Sequence, residues 1–301
     1  MIKVKYKKNI EDKYYCLIAN TKLSKYNNMS FESYYNRYVK HKMNNYELKE
    51  IICGRFEKLV EIKNNIGEKY KSRNNIIKQL FNYDKSSKKL KLKVSKFQSK
   101  ISNFFKDNIE VYTCYYCNID FINKFDTKNG EKYAFTLDHF LDKGTYPYLA
   151  LSLYNLVPCC YVCNSKIKHQ NEIKTLPPTC DKFDFDKKVK FKTFITNKNL
   201  IIKNENDFKL LLKEDFSDKY EEYIDVLELN NRYEFHKYKV LEFIEKRKSY
   251  PDSRIKELAL LTQKTEEEIK QDIFGEFLEN DLHKRPLSKL IKDISEELGL
   301  Y

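Results

Sequence analysis

No stretch of this chain stays apolar for the roughly 18–20 residues that a membrane-spanning helix requires, so the sequence argues against a helical membrane protein. The opening MIKVKYKKNI is basic but has no apolar segment behind it, so no secretory signal is expected. The expected location is the cytoplasm, where thiols stay reduced. Eight cysteines there read as a metal site with spares and not as a disulfide framework. Tryptophan is absent while Lys, Asn, Ile and Tyr abound, the bias that AT-rich coding produces. No internal repeat is present, which excludes a repeat array. Histidine is scarce, with five in 301 residues, so a histidine beside an acid and between cysteines stands out.

Hydrophobic residues make up 41% and aromatics 15% of the chain, enough for a packed core, and 34% charged residues fit a soluble protein. This length suits two or three packed units. The formal net charge of +13 is unevenly spread. Residues 1–110 hold 26 Lys/Arg against 11 Asp/Glu, a formal +15; residues 111–170 stand at +1 and residues 171–301 at −3. Coding bias would raise lysine everywhere and does not explain a slightly acidic final third. Clustered positive charge attracts a phosphate backbone, so residues 1–110 read as a basic, mainly helical nucleic-acid-binding region. Residues 171–301, near neutral, read as a possible partner-binding region.

In chain order, Ile2, Val4 and Tyr6 alternate with lysines, the period of a short strand. Ser30 is a plausible N-cap for a helix bearing Phe31, Tyr34, Tyr35, Tyr38 and Val39. A second helical pattern runs from Tyr46 to Val60, weakened at Gly54. Lys85 to Lys100 sets Lys88, Lys89, Lys91, Lys93 and Lys96 among Leu90, Leu92, Val94 and Phe97. That is either a phosphate-binding face or an ordinary solvated helix. Asn129-Gly130 is a hairpin-turn signal. Tyr133, Phe135 and Leu137 suggest a strand leading into Asp138 and His139. A long loop follows, then a short strand at 155–158 and a helix from near Cys160 or Cys163. Beyond Pro177-Pro178, strands are expected at 189–195 and 200–202, with helices from Phe208 onward. One of these carries Tyr233, Val240, Leu241 and Ile244; a capping box at Thr265 and Glu268 opens another; Pro286 is expected in the first turn of the last. The fold class expected is α+β, mostly helical around a central zinc-stabilised ββα module at 111–170.

The chemistry concentrates between Cys114 and Lys168. Cys114-Tyr-Tyr-Cys117 and Cys160-Tyr-Val-Cys163 are two CxxC pairs, the usual ligand set of a tetrahedral structural zinc. Cys159, next to Cys160, leaves a register ambiguity; it breaks the CxxC spacing and reads as a packed thiol. Cys16, Cys53 and Cys180 have no partner pattern. Between the pairs, Asp138 at a strand end can bind a divalent cation. His139 is the candidate general base, its ordinary pKa lying near operating pH. Asn155 can hold the imidazole through its side-chain amide or backbone. Asn164 offers a carbonyl oxygen as a second metal ligand. Oxygen ligands of this kind suit Mg²⁺ or Mn²⁺, and the set is what phosphodiester hydrolysis needs.

At Asp138-His139, Asn155-Leu156 and Cys160-Tyr-Val-Cys163-Asn164 the sequence resembles the HNH endonuclease family, whose ββα-metal fold carries such a cluster between zinc knuckles. The resemblance covers about 55 residues. It implies Asp138 and Asn164 as ligands of a catalytic ion, His139 as general base and Asn155 as the residue orienting it, in an H-N-N variant of the motif. Many members have Pro where this chain has Asp142, and Lys where it has Ile167. Lys166 or Lys168, beside Ile167, or Lys143 would then contact phosphate. Residues 141–147 and the closing HKRPLSKL also look like HNH nucleases of bacterial anti-phage defence operons, such as the Septu type, which implies an ATPase partner. The function expected is a metal-dependent endonuclease, DNA favoured as substrate. The competing readings are an RNA-cleaving nuclease and a non-catalytic zinc ribbon that binds nucleic acid or protein.

Overall fold

A computed structural model describes all residues except 24–27, 73–74, 85–96, 129, 170, 276–281 and 301. The fold is mixed α and β: helices predominate, and among the described residues the strands form four two-stranded antiparallel sheets. No described helix is long and apolar enough to cross a membrane. The chain divides into two compact units, one of Lys3–Val111 with Ile122–Phe183, the other of Met1–Ile2, Tyr112–Phe121 and Asp184–Tyr301.

In the first unit, α1 (Ile10–Ala19) precedes β1 (Lys22–Leu23) and β2 (Met29–Ser30), which pair. Helix α2 (Phe31–Tyr38) starts where its cap dictates, with Ser30 Oγ accepting the Ser33 N–H at 3.1 Å. Gly54 separates α3 (Leu48–Cys53) from α4 (Phe56–Ile66). A Cβ there would lie 2.2 Å from the Glu50 carbonyl oxygen, so the single helical pattern of 46–60 breaks into two. Helices α5 (Ile76–Leu80) and α6 (Gln98–Asn108) follow. The lysines at 88, 89, 91, 93 and 96 lie outside the described residues. The segment around Val4 and Tyr6 buries alternate residues as a strand would, yet makes only an isolated bridge between Tyr6 and Ile109.

Strands β3 (Lys124–Thr127) and β4 (Gly130–Tyr133) form a hairpin whose register pairs Thr127 with Gly130, so Gly130 belongs to the strand; Asn129 of the expected turn lies outside the described residues. The strand expected from 133 to 138 is interrupted. A separate β5 (Thr136–His139) pairs antiparallel with β6 (Leu156–Cys159), placing Asp138 opposite Val157 and His139 opposite Leu156. A π-helix, Val162–Lys168, follows. The 141–155 connection is not a surface loop. Tyr148 through Asn155 are buried. Three hydrogen bonds pin them to or beside the helices: Tyr14 Oη to Leu151 O at 3.0 Å, Ser152 Oγ to Ile51 O at 2.6 Å and Tyr148 Oη to Gly67 O at 3.0 Å.

In the second unit, α7 (Phe185–Lys188) leads into β7 (Val189–Ile195), paired residue by residue with β8 (Phe208–Glu214). The helix expected from Phe208 is thus a strand. Phe208, Leu210 and Leu212 are buried while Lys209 and Lys213 are exposed, a period of two that wins over the local apolar run. Residues 200–202 are irregular, and Leu200 has φ 51°. Helices α8 (Glu221–Val226), α9 (Leu229–Glu234), α10 (Lys237–Ser249), α11 (Asp252–Thr262), α12 (Glu266–Phe274) and α13 (Ser288–Glu297) complete the unit. Tyr233 and Val240 therefore lie on different helices. The Thr265–Glu268 capping box is present, and Pro286 sits just ahead of α13. Helix α13 satisfies two N–H groups of β7: Phe191 N donates to Asp293 Oδ2 at 3.0 Å and Thr193 N to Glu297 Oε1 at 3.1 Å. The wholly buried Lys289 ammonium donates to Asp293 Oδ2 at 2.7 Å and Val189 O at 2.6 Å.

Candidate metal centre and active site

The sulfurs of Cys114, Cys117, Cys160 and Cys163 lie within 4.8 Å of one another, and all four residues are buried. A tetrahedral zinc with Zn–S bonds near 2.3 Å fits a cluster of this size; the group could hold a structural metal such as zinc. Each pair turns a backbone N–H towards a sulfur: Ile119 N to Cys117 Sγ at 3.4 Å, and Cys163 N to Cys160 Sγ at 3.4 Å. Such bonds stabilise thiolates and orient them on a metal. Cys159 stays outside the cluster. It packs against Thr136, with Sγ to Oγ1 at 3.6 Å, and burial pushes its thiol pKa well up. No cysteine is in a disulfide.

Asn118, in the left-handed conformation at φ 55°, fixes the first knuckle. Its Nδ2 donates to Thr113 Oγ1, Leu282 O and Arg285 O at 3.2, 3.1 and 3.3 Å, and its Oδ1 accepts from Lys289 N at 3.0 Å. Its backbone carbonyl takes the Leu287 N–H at 2.7 Å. This is the structural use of HKRPLSKL. Asn118 carries no motif in the sequence, because all but one of these side-chain partners lie more than 160 residues away.

The second cluster forms where β5 ends. Successive residues of a strand face opposite ways, and Asp138 and His139 do so here. The Asp138 carboxylate meets the Lys168 ammonium, with Nζ 3.1 Å from Oδ2 and 3.4 Å from Oδ1; both side chains are about 4% exposed or less. The same ammonium donates to His139 O at 3.3 Å. Lys168 is therefore a buried ion-pair partner and not the surface phosphate contact expected of it. The reason is that the π-helix turns it inward onto β5.

His139 Nε2 lies 3.0 Å from Ala150 O. A carbonyl can only accept, so the proton sits on Nε2 and the Nδ1 lone pair is left to act as a base. The Tyr83 ring packs edge-on against the imidazole, 4.6 Å between centroids. Burial, with lesser help from the Lys143 and Lys168 charges, pushes the pKa of His139 down to about 3. That corrects the expectation of a value near operating pH: the imidazole is neutral throughout the physiological range.

Asn155, fully buried, does not contact the imidazole with its side chain. Its Oδ1 accepts from Leu141 N at 2.7 Å, and its Nδ2 donates to Leu141 O and Leu149 O, each at 3.0 Å. It closes the 141–149 loop, which leads to Ala150. Asn155 thus bears on His139 through Ala150 and through its own carbonyl, which accepts the Phe140 N–H at 2.9 Å. Asn164 is half-buried on the π-helix, four residues before Lys168. Lys143 pairs with Asp84 at 2.7 Å and lies over the Tyr83 ring at 5.0 Å. Lys166 is exposed beside Tyr161. Tyr83, Asp84 and the Ala150 carbonyl carry no motif and were not legible as site groups.

No family model, curated protein or solved structure gives a significant match to this chain.

Proposed function

We propose that this protein is a metal-dependent endonuclease of the HNH type that hydrolyses phosphodiester bonds, with DNA the favoured substrate. The observation that carries the reading is the neutral, tautomer-fixed imidazole of His139 next in sequence to the buried Asp138, the two side chains on opposite faces of the end of β5, in a strand–loop–strand–helix segment that also bears Asn164. The donor set suits a hard cation: Asp138 already holds a positive charge, and Asn164 adds an amide oxygen on the packed helix. Asp138 and Asn164 would hold Mg²⁺ or Mn²⁺, which when bound steadies the charge of the pentacovalent phosphate. His139 Nδ1 would take the proton of a water that the bound ion acidifies, because an imidazole with its pKa pushed down to about 3 is too weak a base for an unassisted water. Ala150 O holds Nε2–H and so aims Nδ1. Lys143 and Lys166 reach the phosphate backbone from the surface. A partner ATPase, if this is a defence nuclease, would dock elsewhere on the chain.

A second reading has its own support. Asp138, His139 and Asn155 are all buried and hydrogen-bonded internally, as they would be in a non-catalytic zinc ribbon. The test is incubation of supercoiled plasmid, single-stranded DNA and RNA with the zinc-loaded protein in Mg²⁺ or Mn²⁺, with and without EDTA. Cleavage that EDTA stops supports the nuclease. Binding without cleavage of any substrate overturns it in favour of the ribbon.

A further inference from the structure

The buried Asp138 carboxylate is met by a cation that the protein itself supplies. The Lys168 ammonium sits among Asp138 Oδ1, Asp138 Oδ2 and His139 O at 3.4, 3.1 and 3.3 Å. Charge-assisted N–H···O bonds are usually 2.7–2.9 Å. All three contacts are longer, so the ammonium is surrounded by oxygens without being gripped by any one. The same oxygens are the hard donors a divalent ion would take. Two cations cannot share them, since like charges a few ångströms apart in a buried site repel strongly.

Lys168 also has somewhere to go. It lines a cleft of about 210 Å³ together with Phe140, Asp142, Tyr146, His169 and Asn171. Its backbone ends the π-helix, and the next residue, His169, is left-handed at φ 43°. Asn164, four residues earlier, rides on the same helix, so the second oxygen donor and the internal cation are mechanically linked. π-Helical turns recur where a helix must reposition functional side chains.

We infer that Lys168 is a built-in competitor of the catalytic ion: its ammonium closes the divalent-cation position at Asp138, and metal binds only by expelling it into the neighbouring cleft. This rests on the nuclease reading of Asp138 and adds to it a regulated, low-affinity metal site. The expelled ammonium would then face a cleft that the carboxylates of Glu68, Asp142 and Glu172 line, which supply the compensating charge.

The test uses the zinc-loaded full chain and Mn²⁺ binding followed by electron paramagnetic resonance of the unbound ion. Lys168→Met, which removes the charge at similar length, is expected to bind Mn²⁺ at least tenfold more tightly than wild type. Lys168→Arg should stay as weak as wild type, and Asp138→Asn should lose the site. Equal Mn²⁺ affinity in Lys168→Met and wild type, with the site still lost in Asp138→Asn, overturns the competition but leaves the metal assignment standing. Unchanged binding in Asp138→Asn overturns the metal assignment itself. A measurement on the wild type alone guards against a Lys168 variant that does not fold. Lys168 should resist amine acylation without divalent ion and become reactive at saturating Mg²⁺, read by peptide mass spectrometry. Persistent protection at saturating Mg²⁺ overturns the inference.

Discussion

His139 Nε2 and Ala150 O lie 3.0 Å apart, and this contact decides which imidazole nitrogen can act. On the proposed nuclease reading, substituting His139 by Ala removes the base while leaving the cysteine cluster untouched. Cleavage should fall by at least about 100-fold, the usual worth of a positioned general base, with zinc content unchanged. Plasmid nicking assays and metal analysis on a variant shown to be folded check this; full activity in that variant would remove His139 from the mechanism.

The position of Cys159 separates two registers of the metal site. Cys163→Ser and Cys117→Ser should each lower bound zinc well below one equivalent per chain and destabilise the fold, because structural zinc supplies folding free energy. Cys159→Ser should keep the full equivalent, since that thiol packs on Thr136. Zinc release measured with a colorimetric chelator after thiol blocking distinguishes them. Loss of zinc in Cys159→Ser would move the register by one residue.

Asn118→Ala takes away the acceptor of the Lys289 N–H and one of the partners of Leu282 O, Arg285 O and the Thr113 hydroxyl, which keep bonds to Ser288 Oγ and His283 O. Leaving a buried N–H without its partner and losing three further bonds costs about 1–3 kcal/mol. Urea denaturation should show that loss. Asn118→Gly should be as damaging, although glycine is the residue best suited to φ 55°; a Gly variant as stable as wild type would mean the backbone turn, not the side chain, is what matters.

Asp142 gives the pH dependence of the loop. Burial works to raise its pKa, but the Thr145 hydroxyl and the Gly144 and Thr145 amides outweigh it and hold the carboxyl below the usual range. Thr145 donates to Oδ2 with its N–H at 2.7 Å and its hydroxyl at 2.8 Å. A carboxyl more acidic in the folded than in the unfolded chain contributes stability that is complete above its unfolded pKa near 3.9 and is lost as pH falls through the lower folded value. Asp142→Asn should therefore cost about 1 kcal/mol at pH 7, a figure reduced for its half-exposed setting. The difference between the two proteins should shrink in urea melts as pH falls below the ordinary carboxylate range. A difference that is constant with pH would rule out the ionic origin.

Local signals were legible where the cause is local. The Ser30 cap, the Thr265–Glu268 box and the β5–β6–helix order each follow from residues within a few positions. So did the four cysteines, because CxxC spacing carries its own geometry. What failed depended on distant partners. Phe208 to Glu214 was read as helix because Leu210, Leu211 and Leu212 fit either period until β7 selects one. Lys168 is expected at a phosphate and not in an ion pair, because the carboxylate that draws it in lies 30 residues away. His139 was assigned an ordinary pKa because its burial is built by Tyr83 and by a loop that looks polar-tolerant in sequence but is packed throughout.

The hydrogen bonds that fix the first cysteine knuckle reach from Asn118 to Leu282, Arg285 and Lys289, across 164 to 171 residues. Contacts of that sequence separation form late, because a long loop must close before they are rewarded. During synthesis the knuckle is therefore complete as a sequence long before it can be complete as a structure. Two of its four thiolates must wait, unbraced, for some 160 further residues to emerge. Any metal held by the four cysteines would therefore gain its full bracing only after residues 282–289 have been made.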